Sequence, residues 1–350
     1  MNRKRALIYG LILCVLIGLI YMQFRTWRNF DWTTFLSQTG RVNKMSILLA
    51  IGWIYLAYLM RAMRWSVFLR PVCHSSTARL FSPTVIGFTA LALLGRAGEM
   101  IRPYLIARKE NLPFPSQMAV WAVERLFDLG AFALMLLTAL LLFPMTRSLL
   151  GNYRLGGPST FVVIFLGASA GILAIWKGDK IIRNVTSNLS PGVSRIGTLI
   201  AFRIQEFRSG LNTIQDFGSF VQATAVSLGM WIMISFSYLE VLHSYGAGPL
   251  NMPLSQVPLL MLSSMVGSMV ALPGVGGGTQ LATIFTLERI FGAPRELAAS
   301  CGILLWLVTF ASIVPLGLIL AHRERLSIRE LSAETQHAEE EDVPSTSPPA

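Results

Sequence analysis

The chain has 350 residues, of which 53% are hydrophobic and only 13% are charged, and its net charge is +11. Soluble domains carry about 25% charged residues, so the low share here leaves too few charges to cover a soluble surface. The arginines and lysines lie mainly between apolar runs, where they set membrane topology, and we therefore expect no nucleic-acid partner.

Long apolar runs without Asp, Glu, Lys or Arg predict an all-α, polytopic membrane helix bundle. A run of about 20 such residues is long enough to cross a hydrocarbon core about 30 Å thick. We predict about six full spans, at residues 6–24, 45–63, 118–143, 159–176, 219–243 and 298–321. The first run is longer than a usual signal-peptide core, and no small-residue cleavage site follows it, so we interpret it as a retained span.

The distribution of basic residues predicts the topology of these spans. Basic segments at 3–5, 61–79, 177–208 and 322–325 fall on one side of the membrane if the chain crosses it six times. We therefore expect a bacterial inner-membrane protein with both termini in the cytoplasm. One loop conflicts with this rule, because it would place four cations outside: Arg25, Arg28, Arg41 and Lys44.

Two shorter apolar segments, Phe81–Leu94 and Val257–Leu272, end in glycine or proline residues that break helices. Basic residues on both sides of the first segment predict that it enters and leaves on the cytoplasmic side, and the second then does so outside. The chain would hold two opposed re-entrant hairpins in an inverted repeat, with halves 1–150 and 155–322, a plan known from transporters. The alternative is that both segments are short tilted spans joined by surface loops.

Two regions differ in composition from the spans. Residues 177–216 mix basic and apolar side chains, which predicts amphipathic helices on the anionic cytoplasmic face or, alternatively, an ordinary linker helix. The tail 323–350 is polar and acidic, so we expect a disordered cytoplasmic segment that follows a transmembrane domain of residues 1–322.

Ionisable residues inside apolar segments are costly, so each predicts a partner or a function. Near the first break, Glu99 and Arg102 are three residues apart and share a face if this segment is helical. A glycine-framed turn with free N–H groups and guanidinium forks would suit a lipid phosphate. The residues of this predicted cradle are Arg96, Gly98, Glu99 and Arg102. Alternatively, these arginines only mark a cytoplasmic loop.

A second group lies in the first turns of the predicted span 118–143. Glu124 and Asp128 are four residues apart on one helix face, so they repel each other unless a cation lies between them. Arg125 is adjacent and faces another way, and it is one of several arginines that could pair with them. The functional interpretation is a substrate or proton-coupling site, and the alternative is a structural ion-pair network.

Two further groups carry weaker signals. Arg61, Arg64 and Trp65 share a face at the inner end of the second span, where snorkelling interfacial anchors are the favoured interpretation. The glycine run after the second short segment allows close backbone contact but offers no acid or base. Its candidate binding residues are Pro273, Gly274, Gly276, Gly277, Gly278 and Gln280.

Motifs of known enzymes are missing from the sequence. The four histidines lack metalloprotease spacing, the three cysteines lie far apart, and no P-loop or nucleophile elbow occurs. We expect no catalytic residue, no metal and no cofactor. The charged residues favour binding of a charged group in a medium of low dielectric constant.

The order of these motifs resembles a known family. The motifs are Arg61-x-x-Arg64-Trp65, Gly95-Arg96-Ala97-Gly98-Glu99-x-x-Arg102, Glu124-Arg125-Leu126-x-Asp128 and Pro273-Gly274 with its glycine run. Over about residues 5–322 the chain resembles the lysylphosphatidylglycerol synthase transmembrane-region family, also called flippase-like. The resemblance implies an inner-membrane protein that moves aminoacylated phospholipids or polyprenyl-linked sugars between leaflets.

The chain departs from the family pattern at three places. Leu94 replaces a frequent proline, Gln280 replaces a frequent glutamate, and the last span lacks a frequent arginine near Leu305-Trp306. We expect an ion pair to be missing from the second half. The chain also leaves no room for the soluble aminoacyl-transferase domain of the full synthase, so we do not expect it to make lysyl-lipid by itself.

Three functions remain open at the level of sequence. The first is translocation of a membrane lipid or polyprenyl-linked substrate. The second is a membrane-embedded enzyme acting on a lipid phosphate, with Glu124 and Asp128 as its acid and base. The third is an accessory scaffold of an envelope glycolipid pathway, with a glycosyltransferase or lipid-synthesis enzyme as its partner.

Overall fold

The computed structural model describes residues 30–151, 216–268 and 277–324, and these ranges contain helices and no strand. Five of their helical segments are long and apolar enough to cross a membrane. Several predictions lie outside the described residues: the spans 6–24 and 159–176, nearly all of the stretch 177–216, Arg25, Arg28, Pro273, Gly274, Gly276 and the tail from residue 325.

The described helices are numbered in chain order. They are α1 (Trp32–Gly40), α2 (Lys44–Leu69), α3 (Thr77–Leu94), α4 (Ile101–Glu110), α5 (Phe114–Leu142), α6 (Pro144–Gly151), α7 (Phe217–His243), α8 (Val257–Ser268), α9 (Gly277–Arg289), α10 (Arg295–Thr309) and α11 (Val314–Arg323). Short 3₁₀ turns occupy Gly95–Met100, Leu254–Gln256 and Ala311–Ile313. The five candidate spans are α2, α3, α5, α7 and the segment Arg295–Arg323, which combines α10 and α11.

Side-chain caps determine where several helices begin. Asn43, Ser76 and Asp216 each accept a hydrogen bond from a backbone N–H of the first turn, in α2, α3 and α7 respectively. Asp31 caps α1, and hydrogen bonds from Thr33 and Thr34 hold the pKa of its carboxyl well below its usual range. Helix starts are therefore encoded in single polar residues outside the apolar runs.

The cap at Ser76 corrects the prediction for the first short segment. We expected an apolar stretch from Phe81 that is too short for a span, but α3 begins at Thr77 and has 18 residues. The apolar pattern missed the first polar turn. The end of α3 at Leu94 agrees with the sequence, because Gly95 adopts a left-handed backbone angle (φ 64°) that favours glycine.

α3 and α4 form an antiparallel helical hairpin, the first hairpin. At its base, Arg79 Nη2 donates a 2.9 Å hydrogen bond to the Lys109 carbonyl. Near the turn, Gly98 lies against the backbone of Ala90, so closely that a Cβ at position 98 would overlap it. The arms are unequal, since α4 has only 10 residues.

α8 and α9 form a second antiparallel pair, the second hairpin. The Ser264 and Thr283 hydroxyls lie 2.7 Å apart across the two arms. Gly267 packs so closely on the Gly278 carbonyl that a side chain at position 267 would overlap it. Glycine therefore permits the close approach of the arms in both hairpins.

The two described halves have the same order of elements: a long helix, a hairpin and a long helical segment. The long first helices, α2 and α7, run antiparallel. Asn43 N donates to the Ser244 carbonyl at one end (2.8 Å), and Arg70 Nη1 donates to Gln222 Oε1 at the other (2.6 Å). The first hairpin follows the C-terminal end of α2, and the second follows the C-terminal end of α7. Because α2 and α7 are antiparallel, the open bases of the two hairpins lie at opposite ends of this helix pair.

The predicted continuous span 298–321 is interrupted. α10 ends at Thr309 and α11 begins at Val314, because Pro315 has no N–H to continue the helix. Hydroxyl groups from α2 and α3 approach the carbonyls at this break: Tyr55 contacts Ser312 O (2.9 Å), Tyr58 contacts Thr309 O (3.5 Å) and Thr89 contacts Ile313 O (3.4 Å). The break thus joins the last segment to the first half.

The largest apolar core lies between α2, α5, α7, α8 and α10, and a smaller one surrounds Trp65 and Phe68 near the C-terminal end of α2. The predicted second span 45–63 continues to Leu69 in the structure. This extension carries Arg64 and Trp65 inside the bundle, where both are 1% exposed.

Candidate functional site

Glu124 is the centre of a buried ion cluster between α2, α4 and α5. Its side chain is fully buried about 15 Å along α5 from the start of that helix. Glu124 Oε1 accepts a hydrogen bond from Arg64, and Glu124 Oε2 accepts one from Arg102. Arg102 Nη1 also donates to Glu124 Oε1 at 3.1 Å, so the Arg102 guanidinium binds the carboxylate with both terminal nitrogens.

Asp128 extends the cluster by one helical turn. Arg64 Nη1 lies 2.6 Å from Asp128 Oδ1 and donates to Ser227 Oγ of α7 at 2.9 Å. Arg125 Nη2 lies 3.1 Å from Asp128 Oδ2. The sequence required a cation between Glu124 and Asp128, and the structure places Arg64 there.

The interpretation of Arg64 as a snorkelling anchor is wrong. An anchor would extend its guanidinium to the interface, whereas Arg64 is 1% exposed and is paired with two carboxylates of α5. Arg125 pairs with Asp128 of its own helix, so it is one of the several arginines that the sequence left open as partners of the two carboxylates.

Aromatic rings hold the Arg102 guanidinium in place. Its central carbon lies 4.5 Å from the centroid of the Trp65 ring and 5.0 Å from that of Phe88. Gly87 makes room for the Arg102 backbone, since a Cβ at position 87 would overlap it. Sequence reasoning missed Gly87 and Phe88, although an isolated glycine inside an apolar helix indicates close packing.

Arg61 gives the cluster additional positive charge. It is partly buried, lies 4.7 Å from the Phe88 ring centroid and makes no ion pair with any described residue. Four arginines therefore surround the two carboxylates: Arg61, Arg64, Arg102 and Arg125. The cluster as a whole is cationic.

A pocket opens beside the cluster, with an empty volume of about 300 Å³ when the open solvent at its mouth is included. Its lining residues come from the first hairpin and α5: Gly87, Phe88, Leu91, Glu99, Arg102, Trp121 and Arg125. The Arg125 side chain is 41% exposed, and its Nε atom is buried without a hydrogen-bond partner in the described part of the chain. The pocket thus offers guanidinium groups next to aromatic surface.

The other predicted site residues have different surroundings. Gly98 lies in the turn of the first hairpin, where it permits close packing on Ala90, and the Arg96 side chain lies outside the described residues. Gly277, Gly278 and Gln280 belong to α9 and do not line the pocket. Gln280 Nε2 is buried and has no hydrogen-bond partner among the described residues.

The cluster is suited to binding an anion. No group of three His, Cys, Asp or Glu side chains in the described ranges could hold a metal ion. Glu124 and Asp128 are both paired with arginines, so neither is a free general base. Arg102 and Arg125 line the pocket with donors that fit the oxygens of a phosphate.

Sequence comparisons with known proteins place this chain in a family of membrane proteins. The sequence model described as "Lysylphosphatidylglycerol synthase TM region" matches residues 7–317. A glycosyltransferase, AglD of Haloferax volcanii, is 25% identical over 327 residues, which cover 85% of this chain and 51% of that protein. A UPF0104 membrane protein of Methanothermobacter thermautotrophicus is 27% identical over 223 residues, which cover 58% of this chain and 61% of that protein.

The chain therefore spans about half to three fifths of the length of these curated relatives. No solved structure matches it.

Proposed function

This chain belongs to the lysylphosphatidylglycerol synthase TM region family of multi-pass membrane proteins, and from that premise we propose that it binds a lipid or lipid-linked substrate through its phosphate and moves it between leaflets. The observation that carries the proposal is the cationic cluster beside the pocket. Ionisable residues at membrane depth are costly and usually mark substrate pathways.

The position of the pocket supports this function. Along α3, Ala90 lies about 16 Å from Arg79 at the base of the first hairpin, which is about half the thickness of a hydrocarbon core. Glu99 is next to Gly98, which packs on Ala90. If the charged base lies at the membrane surface, the pocket lies near the midplane.

The two hairpins support an alternating-access mechanism. We propose that they enter the membrane from opposite faces, with the first hairpin opening to the cytoplasm of a bacterial inner membrane. Their order in the two described halves, and the antiparallel α2 and α7, match the inverted-repeat plan of transporters. Non-helical backbone at such depth is tolerated where it lines a cavity, and the turn at Gly95–Met100 adjoins the pocket through Glu99.

Single-cysteine labelling tests the topology. Two exposed residues mark the bases of the two hairpins. They are Arg108, near the end of α4, and Asn251, before α8. In a chain without its native cysteines, we expect a membrane-impermeant maleimide to label Arg108→Cys only from inside and Asn251→Cys only from outside. Labelling of both positions from one side would contradict the opposed arrangement.

Transport can be tested directly with purified protein in liposomes that contain tail-labelled phospholipids. We expect the protein to accelerate their transbilayer movement, and Arg125→Gln to reduce that rate about tenfold, because a charge-assisted hydrogen bond to phosphate is lost. Arg125 is the suitable target since it is the more exposed arginine of the pocket. Arg70→Gln is the matched control, as Arg70 is exposed at the end of α2 and contacts Gln222. Equal rates for all three proteins would contradict the proposal.

The enzyme and scaffold alternatives receive less support. An enzyme that used Glu124 and Asp128 as its acid and base would need them free, and their pairing with arginines disfavours that assignment. A glycosyltransferase or lipid-synthesis partner stays a proposal, and co-purification from native membranes would test it.

A further inference from the structure

Glu99 is the acidic residue of the pocket that the cationic cluster does not neutralise. It lines the pocket together with Arg102 and Arg125. No ion pair within 4.0 Å joins Glu99 to any described residue, whereas Arg102 pairs with Glu124 and Arg125 pairs with Asp128. The pocket therefore presents a carboxylate with no ion-pair partner in the described part of the chain, beside a cluster in which four arginines accompany two carboxylates.

This arrangement leaves groups of both charges facing the pocket, where a ligand can pair with them. The turn at Gly95–Met100 lies next to the apolar arms of the first hairpin, and Glu99 itself is partly buried. A partly buried carboxylate without an ion-pair partner can accept an added cation. A ligand with only negative charge would bind the arginines but would be repelled by Glu99. A ligand with both charges would satisfy both sides of the pocket.

We propose that the pocket selects a zwitterionic headgroup, in which Glu99 binds a cationic amine while Arg102 and Arg125 bind the adjacent phosphate. The aromatic surface of Phe88 and Trp121 on the pocket wall suits the methylene groups between them. Glu99 is then a specificity-determining residue: it discriminates amine-bearing phospholipids from phospholipids with a neutral alcohol headgroup.

The test measures binding separately from transport, because this inference rests on the proposed function. Dihexanoyl-phosphatidylethanolamine, its N-acetyl derivative and dihexanoyl-phosphatidylglycerol would be titrated into the detergent-purified full chain by calorimetry. The three lipids share the phosphate, and only the first carries a cationic amine. We expect the wild-type chain to bind it about tenfold more tightly than the other two, which corresponds to one charge-assisted hydrogen bond.

The variant Glu99→Gln should remove this preference, so that all three lipids bind with the affinity of phosphatidylglycerol or slightly better. Glu288→Gln is the matched control, since Glu288 is a partly buried carboxylate on the second hairpin and lies outside the pocket. It should keep the tenfold preference. Circular dichroism and gel filtration would verify that both variants are folded.

Each result is decisive for one of the two proposals. If the wild type binds all three lipids equally, or Glu99→Gln keeps the preference, the headgroup inference is overturned while phosphate binding and translocation still stand. If the wild type binds none of the three lipids, the headgroup inference falls, and the liposome assay decides separately on translocation.

Discussion

The two hairpins have the same architecture but different chemistry. In each, glycine permits close backbone packing: Gly98 in the turn of the first hairpin lies against Ala90 of α3, and Gly267 of α8 lies against Gly278 of α9. The first hairpin contributes Arg102 to a buried ion cluster, whereas the described arms of the second are joined by a pair of hydroxyl groups. A repeated scaffold can therefore concentrate its charged groups in one half.

The largest effect should follow from removing the centre of that cluster. Glu124→Ala would leave Arg64 and Arg102 buried without their shared carboxylate, and we expect a loss of about 3–5 kcal/mol in stability. Thermal unfolding in detergent would measure it as a lower midpoint. Glu288→Gln in the second hairpin is the comparison, and its free energy of unfolding should stay within about 0.5 kcal/mol of the wild type. Similar unfolding midpoints for both variants would contradict the proposed difference in charge chemistry between the two hairpins.

Glycine packing should affect both hairpins alike. A Cβ in Gly98→Ala would overlap the Ala90 backbone, and one in Gly267→Ala would overlap the Gly278 carbonyl. Each substitution should cost about 1–3 kcal/mol, since backbone atoms cannot move aside easily. The same melting assay would measure both.

Gly52→Ala provides the control for these two variants. Gly52 lies inside α2 with no atom near its missing side chain, so alanine should stabilise that helix by about 1 kcal/mol. A cost confined to one hairpin would show that the two hairpins do not share a packing rule.

The sequence predicted the helical membrane bundle because long uncharged runs carry that information directly. It also predicted the residues of the cluster, since charges in such runs require partners. It did not predict which arginine lies between Glu124 and Asp128, because that depends on how α2 rotates against α5. Gly87 and Phe88 were missed for the same reason, as only packing shows that they hold Arg102.

A smaller effect is expected for the hydroxyl pair of the second hairpin. Thr283→Val removes its contact with Ser264, but the Ser264 hydroxyl keeps a hydrogen bond to the Leu260 carbonyl. We therefore expect a loss of about 1 kcal/mol. A double-mutant cycle with Ser264→Ala would isolate the pair itself. A coupling energy as large as the cost of Glu124→Ala would contradict the difference drawn between the hairpins.

The smallest effect should come from the ion pair at the base of the first hairpin. Lys109 Nζ lies 2.8 Å from Glu324 Oε1, and the two side chains are 28% and 31% exposed. Exposed pairs contribute about 0–1 kcal/mol and weaken as salt screens them. Lys109→Gln should lower the unfolding midpoint slightly in low salt and not at all in about 1 M salt, where the screening length is about 3 Å. A loss of stability that persists in high salt would mean that the base of the first hairpin is shielded from solvent. The base could then not lie at the membrane surface, and the pocket could no longer be placed near the midplane.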